Sequence, residues 1–554
     1  MSYVRESGTS PHRWQTTGLI RPHIDSPHPA TIMIFSLSLV ASSGLAALAI
    51  LLVFLYRSAS SVPGPLPPGP PPLPLVGNIF RIPKIAPWVG YQELSRQYGK
   101  IMSLKAFGQT FIVVDDADIA MDLLEKRSAI YSSRPESNMV ALVGWDWNFG
   151  MFPYGAQWRR YRRMFWQHFH TGVVSKHDPH VKRGAAILLR RLLQSKPDPC
   201  EDIRHSLAAV VLGMTYGIRI AEKNDKYLAI IEGGSATGEH LITATSILEF
   251  IPVLARLPTW LPGASFLRTL QRCRKAVREM RFVPWNDTKH GIMDGVYDAS
   301  NIAAEMREEL SRLTAESVAE EEAVALDIAA TVYSAATDTT FSTLCGFFLA
   351  MSLYPNVQRK AQAELDAAVG PGRLPELGDL DQLPYVNAII KEALRWHHPT
   401  PLAVPHTSTS DDEYCGYFIP KGSAVIVNIW SILHNPEYYP RPDEFVPERF
   451  MKDGNLDAAV RDPSTVAFGF GRRVCPGRHL ADNMLFIYIS SVLHTYNITP
   501  PLDKHGQPIH IQPRGKSGIV SYLEDVRCTI KPRSTSAEAL IRTCADGLLE
   551  TRPY

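Results

Sequence analysis

Phe468-Gly469-Phe470-Gly471-Arg472-Arg473-Val474-Cys475-Pro476-Gly477 is the stretch on which the fold turns. It contains the pattern FxxGxRxCxG, with Phe468, Gly471, Arg473, Cys475 and Gly477 at every fixed position. Glycines let a backbone turn tightly and let peptide N–H groups approach a sulfur. Such donors stabilise a thiolate and tune a metal bound to it. Arg473, two residues from the cysteine, supplies positive charge to hold an anionic group. A lone cysteine is ordinarily a small buried hydrophobe; inside this frame Cys475 reads as a metal ligand.

Outward from this loop, the chain has 554 residues, with 57 Lys+Arg against 55 Asp+Glu, a formal net charge of +2. It is 45% hydrophobic and 20% charged, enough apolar material for a large core and too little charge for a disordered scaffold. Near-neutrality argues against sequence-independent nucleic-acid binding, which needs a basic surplus. The seven cysteines (Cys200, Cys273, Cys345, Cys415, Cys475, Cys528, Cys544) are odd in number and form no CxxC pair. Neither a disulfide framework nor a zinc site is indicated, and a reducing, cytosol-facing setting is expected.

The uncharged stretch from Thr31 to Tyr56 exceeds the roughly 20 residues that cross a bilayer as a helix. A signal peptide has a shorter apolar core and a cleavage site after it. Here a proline run follows, Pro63-Gly64-Pro65-Leu66-Pro67-Pro68-Gly69-Pro70-Pro71-Pro72-Leu73-Pro74, which favours extended polyproline geometry. The expected organisation is a polar extension over 1–30, a transmembrane anchor over 31–56 and a proline-rich linker over 57–78. A catalytic body over 79–532 and a tail over 533–554 follow. Translation from Met33 would remove the polar extension and leave Arg57 to mark the cytosolic side. Within the body, Ile101–Ala106 and Thr110–Val114 read as strands around Phe107-Gly108-Gln109, and Gly422–Asn428 as another. The longest apolar helix runs from Ala323 to about Tyr354, stopping before Pro355.

Five further groups of residues stand before the loop. Trp158-Arg159-Arg160-Tyr161-Arg162 pairs an indole N–H with a guanidinium, both suited to carboxylates. Ala335-Ala336-Thr337-Asp338-Thr339-Thr340 lies in the long helix. Positions 332, 335 and 336 share a face with Thr339, leaving room beside a hydroxyl next to a carboxylate. Glu392 and Arg395 are three apart on a helix face, a spacing that alone describes a solvated pair. Pro447-Glu448-Arg449-Phe450 comes before the cysteine, and Pro401-Leu402-Ala403-Val404-Pro405-His406 follows Arg395 closely.

From Pro67 to about Pro532 the sequence resembles the cytochrome P450 superfamily, in the residues just quoted. The resemblance implies a mainly α-helical fold with small β-sheets, here preceded by a single transmembrane helix. It makes Cys475 the axial thiolate ligand of haem b (iron protoporphyrin IX), a ligand that favours O–O cleavage. Trp158, Arg162 and His406 would meet the haem propionates. Phe468, Gly471, Arg473 and Gly477 would shape the cofactor loop. Asp338 and Thr339 would deliver protons to oxygen, with Ala336 where the family usually has glycine. Glu392, Arg395 and Arg449 would form a buried, structural ionic triad.

The activity implied is monooxygenation of a lipophilic small molecule at the endoplasmic reticulum membrane, with the catalytic domain cytosolic. Too little chain follows Gly477 for a flavin or nicotinamide domain, so electrons would come from NADPH through a separate cytochrome P450 reductase. Arg159, Arg160 and Arg163 would offer that acidic partner a basic surface. Details of the loops look most like fungal microsomal members of secondary, terpenoid-like metabolism. Met139–Phe149, Gly238–Ile251 and Lys516–Ser521 would choose the substrate, with Lys516 available to a polar group on it. The alternatives are a reductase-independent isomerase or dehydratase of the same fold, and a non-catalytic membrane haem-binding protein.

Overall fold

Phe107 and Gly108 both have positive φ (47° and 86°), the backbone that a tight two-residue hairpin turn needs. They join β1 (Ile101–Ala106) to β2 (Gln109–Val114), antiparallel with Ala106 opposite Gln109. β2 (Gln109–Val114) and its neighbour over Ala424–Val427 are rich in β-branched residues, and the strands bury both faces. β3 (His406–Thr407), β4 (Asp412–Tyr414), β5 (Tyr417–Ile419) and β6 (Ala424–Val427) follow. The main sheet has the order β1-β2-β6-β3, with β6 parallel to β2 and β3 antiparallel to β6. This computed structural model describes residues 63–550, apart from Ser195, 241–246, Thr259, 261–264, 294–299 and Leu313. The expected anchor, the polar extension and the Met33 start lie outside the described residues. Among the described residues no helix is long and apolar enough to cross a membrane.

The proline run is anchored on the sheet. Prolines lack N–H groups but keep free carbonyls, and Ser103 of β1 donates to two of them, Pro68 O (2.9 Å) and Pro67 O (2.6 Å). Gly69 passes so close to Ser103 that a Cβ there would lie 1.9 Å from its carbonyl oxygen.

Helices make up most of the rest. Those framing the site are α1 (Ala156–Phe169), α2 (Cys200–Tyr216), α3 (Lys226–Ser235), α4 (Ala315–Leu353), α5 (Pro384–Trp396) and α6 (Arg478–Thr495). α4 is buried nearly all round from Val324 onward, as an apolar helix without a polar face must be. It starts earlier than its apolar pattern, because Glu320, Glu321 and Glu322 are good helix formers that continue it into solvent. α5 begins at Pro384, where a missing N–H costs nothing.

Glu392 and Arg395 share the buried face of α5, and both side chains are fully buried. Arg395 Nε and Nη2 donate to the two carboxylate oxygens at 2.7 and 2.8 Å. Its remaining donors reach the carbonyls of Leu433, Pro442 and Glu444, so all five are used. Arg449 Nε (3.2 Å) and the Val446 N–H (2.8 Å) add to the same carboxylate. Here the predicted trio is one ion-paired cluster. Replacing Glu392 by Ala leaves two buried guanidinium groups without their anion, a loss of about 3–5 kcal/mol. Thermal denaturation should show a large fall in melting temperature; an unchanged melt would contradict this account.

His397, His398 and His434 are packed inside, and burial drives their pKa values down to about 4, about 3 and about 3. They are neutral when folded but protonate near pH 6.5 when unfolded, so the unfolded chain binds more protons below that pH. Stability is therefore lost as pH falls from 6.5, by up to ~1.4 kcal/mol per pH unit for each histidine. Melting temperatures should drop between pH 7 and 5, and His398→Gln should flatten the slope by about one proton's worth.

Candidate active site

The cysteine loop is set by two glycines in left-handed conformation, Gly469 (φ 77°) and Gly471 (φ 53°). At Gly471 the constraint is also steric: a Cβ would lie 2.3 Å from the Leu124 carbonyl oxygen. The turn closes when the Cys475 N–H donates to Phe468 O at 2.8 Å. Burial pushes the Cys475 thiol up; the Gly477 N–H, hydrogen-bonded to the sulfur, and the Arg162 charge pull the other way.

Cys475 opens on a cavity of about 620 Å³. α4 supplies one wall through Val332, Ala335, Ala336 and Thr339. Ala335 is exposed in the middle of an otherwise buried helix because it faces this cavity. The Thr339 hydroxyl donates to the Ala335 carbonyl at 3.0 Å. Asp338, adjacent in sequence, takes different partners. Arg204 Nη1 of α2 donates to it at 3.0 Å, and the Ser235 hydroxyl of α3 also donates to it. Burial raises the Asp338 pKa, and Arg204 opposes that rise.

Three buried or half-buried guanidinium groups also line the cavity: Arg134, Arg162 and Arg473. Each is held by carbonyls rather than carboxylates. Arg473 Nε donates to Ser132 O (2.7 Å) and Nη2 to Phe152 O (2.6 Å). Arg134 Nη1 donates to Val404 O (2.6 Å), and Arg162 Nη2 to Val474 O (2.8 Å). Arg473 Nη1 is buried and has no partner. Burial, then repulsion by Arg162, lowers the Arg473 pKa to about 10; burial, then repulsion by Arg473, holds Arg134 well below the usual guanidinium range. The indole of Trp158 packs against the Arg473 guanidinium at 4.4 Å. His406 donates from Nδ1 to Tyr131 O (2.7 Å), and burial with Arg134 and Arg473 keeps its ring neutral.

Most residues expected at the site therefore meet at this one cavity: Trp158, Arg162, Asp338, Thr339, His406, Phe468, Arg473, Cys475 and Gly477. Gly471 does not line it and instead fits the loop against Leu124. Trp145, Asn148 and Phe149, Gly238, and Gly518 to Val520 come from the three segments expected to select substrate. Lys516 does not line this cavity; it lines a separate one. Arg160 is likewise withdrawn from any free basic surface by Glu320 and Glu321. Arg134, Arg204 and Tyr522 were not signalled by any local spacing, because their partners lie far away in the chain.

Clustered cations without carboxylates, one of them with an unmet donor, call for an anionic group in the cavity. Haem fits that demand: its propionates would face Arg134, Arg162 and Arg473, and its iron the Cys475 sulfur.

Comparison with known proteins agrees with this reading. The family model for cytochrome P450 matches residues 67–521. A cytochrome P450 monooxygenase, COX2, of Coprinopsis cinerea is 39% identical over 87% of this chain and 92% of its own. COX1 of the same fungus is 38% identical over 86% of this chain and 93% of its own. Tryptamine 4-monooxygenase of Psilocybe cyanescens is 38% identical over 85% and 93%. With a cavity built for a haem-thiolate group and relatives of this identity along most of its length, the chain belongs to the cytochrome P450 family, as a monooxygenase.

Proposed function

We propose that this monooxygenase, anchored in the endoplasmic reticulum membrane with its catalytic domain in the cytosol, oxidises a lipophilic, terpenoid-like secondary metabolite with electrons from an NADPH-dependent reductase. The observation that carries this reading is that Cys475 and Thr339 line one cavity whose other walls include Phe149, Phe165, Val332, Leu485 and Ile519. An apolar wall of this kind favours a substrate that leaves water readily.

Bound haem would supply the chemistry: activation of O₂, with one oxygen atom going to substrate and the other to water. Cys475 would hold its iron through the thiolate. Arg134, Arg162, Arg473 and Trp158 would orient its carboxylates, and those carboxylates would raise the proton affinity of His406 so that it can join them. The Thr339 hydroxyl, held by the Ala335 carbonyl, presents a polar group to the cavity, and Asp338 behind it is the proton reserve. The Ala336 methyl narrows the same wall.

Phe80, Ile85, Val253 and Trp260 are exposed apolar side chains, more than half accessible (77%, 88%, 59% and 78%), and are suited to a bilayer surface that would accompany the 31–56 anchor. Arg159, Arg163, Arg472 and Arg478 are exposed, form no close ion pair with a carboxylate among the described residues, and lie in α1 or at the cysteine loop. They suit an acidic electron donor.

The test uses microsomes containing the chain, reductase and NADPH, supplied with a panel of terpenoids and with tryptamine. Product carrying ¹⁸O from ¹⁸O₂ is expected; turnover without NADPH or O₂ would sink the monooxygenase assignment in favour of an isomerase. Cys475→Ala should abolish the red-shifted absorption of the reduced CO complex, and persistence of that band would refute the ligand.

A further inference from the structure

Asp338 is buried, yet it stands between two cavities. Its partner Arg204 and the phenol of Tyr522, which interacts with both, line the 620 Å³ cavity and also a second one of about 540 Å³. The Arg204 guanidinium packs over Phe341 (4.1 Å) and beside the Tyr522 ring (5.9 Å), so these three side chains form the partition. On its far side the second cavity is lined by Asp198, Lys516, Glu524 and Arg527, all exposed, so it opens to solvent. Its size is far above the roughly 30 Å³ that a water molecule occupies, and its polar walls can order water.

Tyr522 is placed firmly. It lies in a hairpin in which Lys516 N–H donates to Tyr522 O (2.7 Å) and Glu524 N–H to Arg514 O (2.9 Å). The preceding residue, Ser521, is tied to α4 by the Ser342 hydroxyl (2.6 Å) and to Pro399 O by its own N–H (2.7 Å).

Resting on the monooxygenase reading above, we infer that the second cavity is the proton inlet of the active site and that Tyr522 is the positioning residue that passes protons to Asp338. Reduction of one oxygen atom to water consumes two protons, which must be renewed from solvent. In the transfer, a water in the second cavity gives a proton to Tyr522 Oη as the Tyr522 O–H proton moves to the Asp338 carboxylate. Asp338 then releases that proton toward the cavity that Thr339 faces, and rotation of the phenol O–H resets the relay. One proton crosses per cycle, no electron moves, and bulk water is the source. Arg204 keeps the Asp338 carboxylate turned toward the partition.

The test uses the full-length holoenzyme with reductase in lipid nanodiscs, in a Cys415→Ser/Cys544→Ser background and with no organic substrate. Cys200 lines the second cavity, so methyl methanethiosulfonate should label it in the native protein, as read by peptide mass spectrometry. Tyr522→Phe should raise severalfold the fraction of consumed O₂ released as H₂O₂ and should enlarge the solvent deuterium isotope effect on O₂ consumption. The reduced CO band should not change. Capping Cys200 with the thiomethyl group should have the same effect on H₂O₂ release and be reversed by dithiothreitol. An unlabelled Cys200, or a Tyr522→Phe variant with wild-type H₂O₂ release and isotope effect, would overturn the inlet alone. Turnover of an organic substrate by the wild-type protein without NADPH or O₂ would instead remove the monooxygenase reading, and the inlet with it.

Discussion

The site depends on positive charge that the protein does not itself neutralise. Arg134, Arg162 and Arg473 converge on one cavity, each tied to backbone carbonyls, which fix a guanidinium in place but do not cancel its charge. Desolvation and mutual repulsion make this arrangement unfavourable on its own, as the lowered proton affinities record. Carboxylates arriving in the cavity would relieve both. The strain is thus a binding determinant, and His406 and Trp158 are arranged around it.

Holding cations against one another needs a rigid frame, and the opposite electrostatic solution supplies it. In the Glu392–Arg395–Arg449 cluster both guanidinium groups share the Glu392 carboxylate, every Arg395 donor is used, and the surrounding carbonyls come from the segment 433–444 just before Arg449. A cluster built around its own carboxylate stabilises the fold, while one without a carboxylate waits for a ligand. α4 connects the two regimes by burying most of its length from Val324 onward and facing the cavity around Ala335, Ala336 and Thr339.

What could be read in the sequence follows from how local each interaction is. The Cys475 loop was legible because its turn residues, sulfur and N–H donor lie within ten consecutive residues. The pairing of Glu392 with Arg395 follows from helical spacing, but the place of Arg449 came only with the family resemblance. Adjacency misleads on a helix, where neighbours project about 100° apart: Asp338 and Thr339 therefore make different hydrogen bonds. The same reasoning explains Arg160, which turns to Glu320 and Glu321 while Arg159 and Arg163 face solvent. Arg134, Arg204 and Tyr522 could not be found from spacing, since tertiary contacts alone bring them to the cavity. Lys516 lines the second cavity because the hairpin holding it turns Gly518 to Val520 toward the first cavity and Lys516 away from it.

The account's central claim is that the arginine cluster recognises the carboxylates of the cofactor. Its most direct test compares uptake of haem and of haem dimethyl ester by the apoprotein, followed by the absorption of the reduced CO complex. Neutralising both propionates leaves the ring and iron intact, so the ester should bind at least about tenfold more weakly, a difference of ~1.4 kcal/mol or more. Equal uptake of the two compounds would contradict the account.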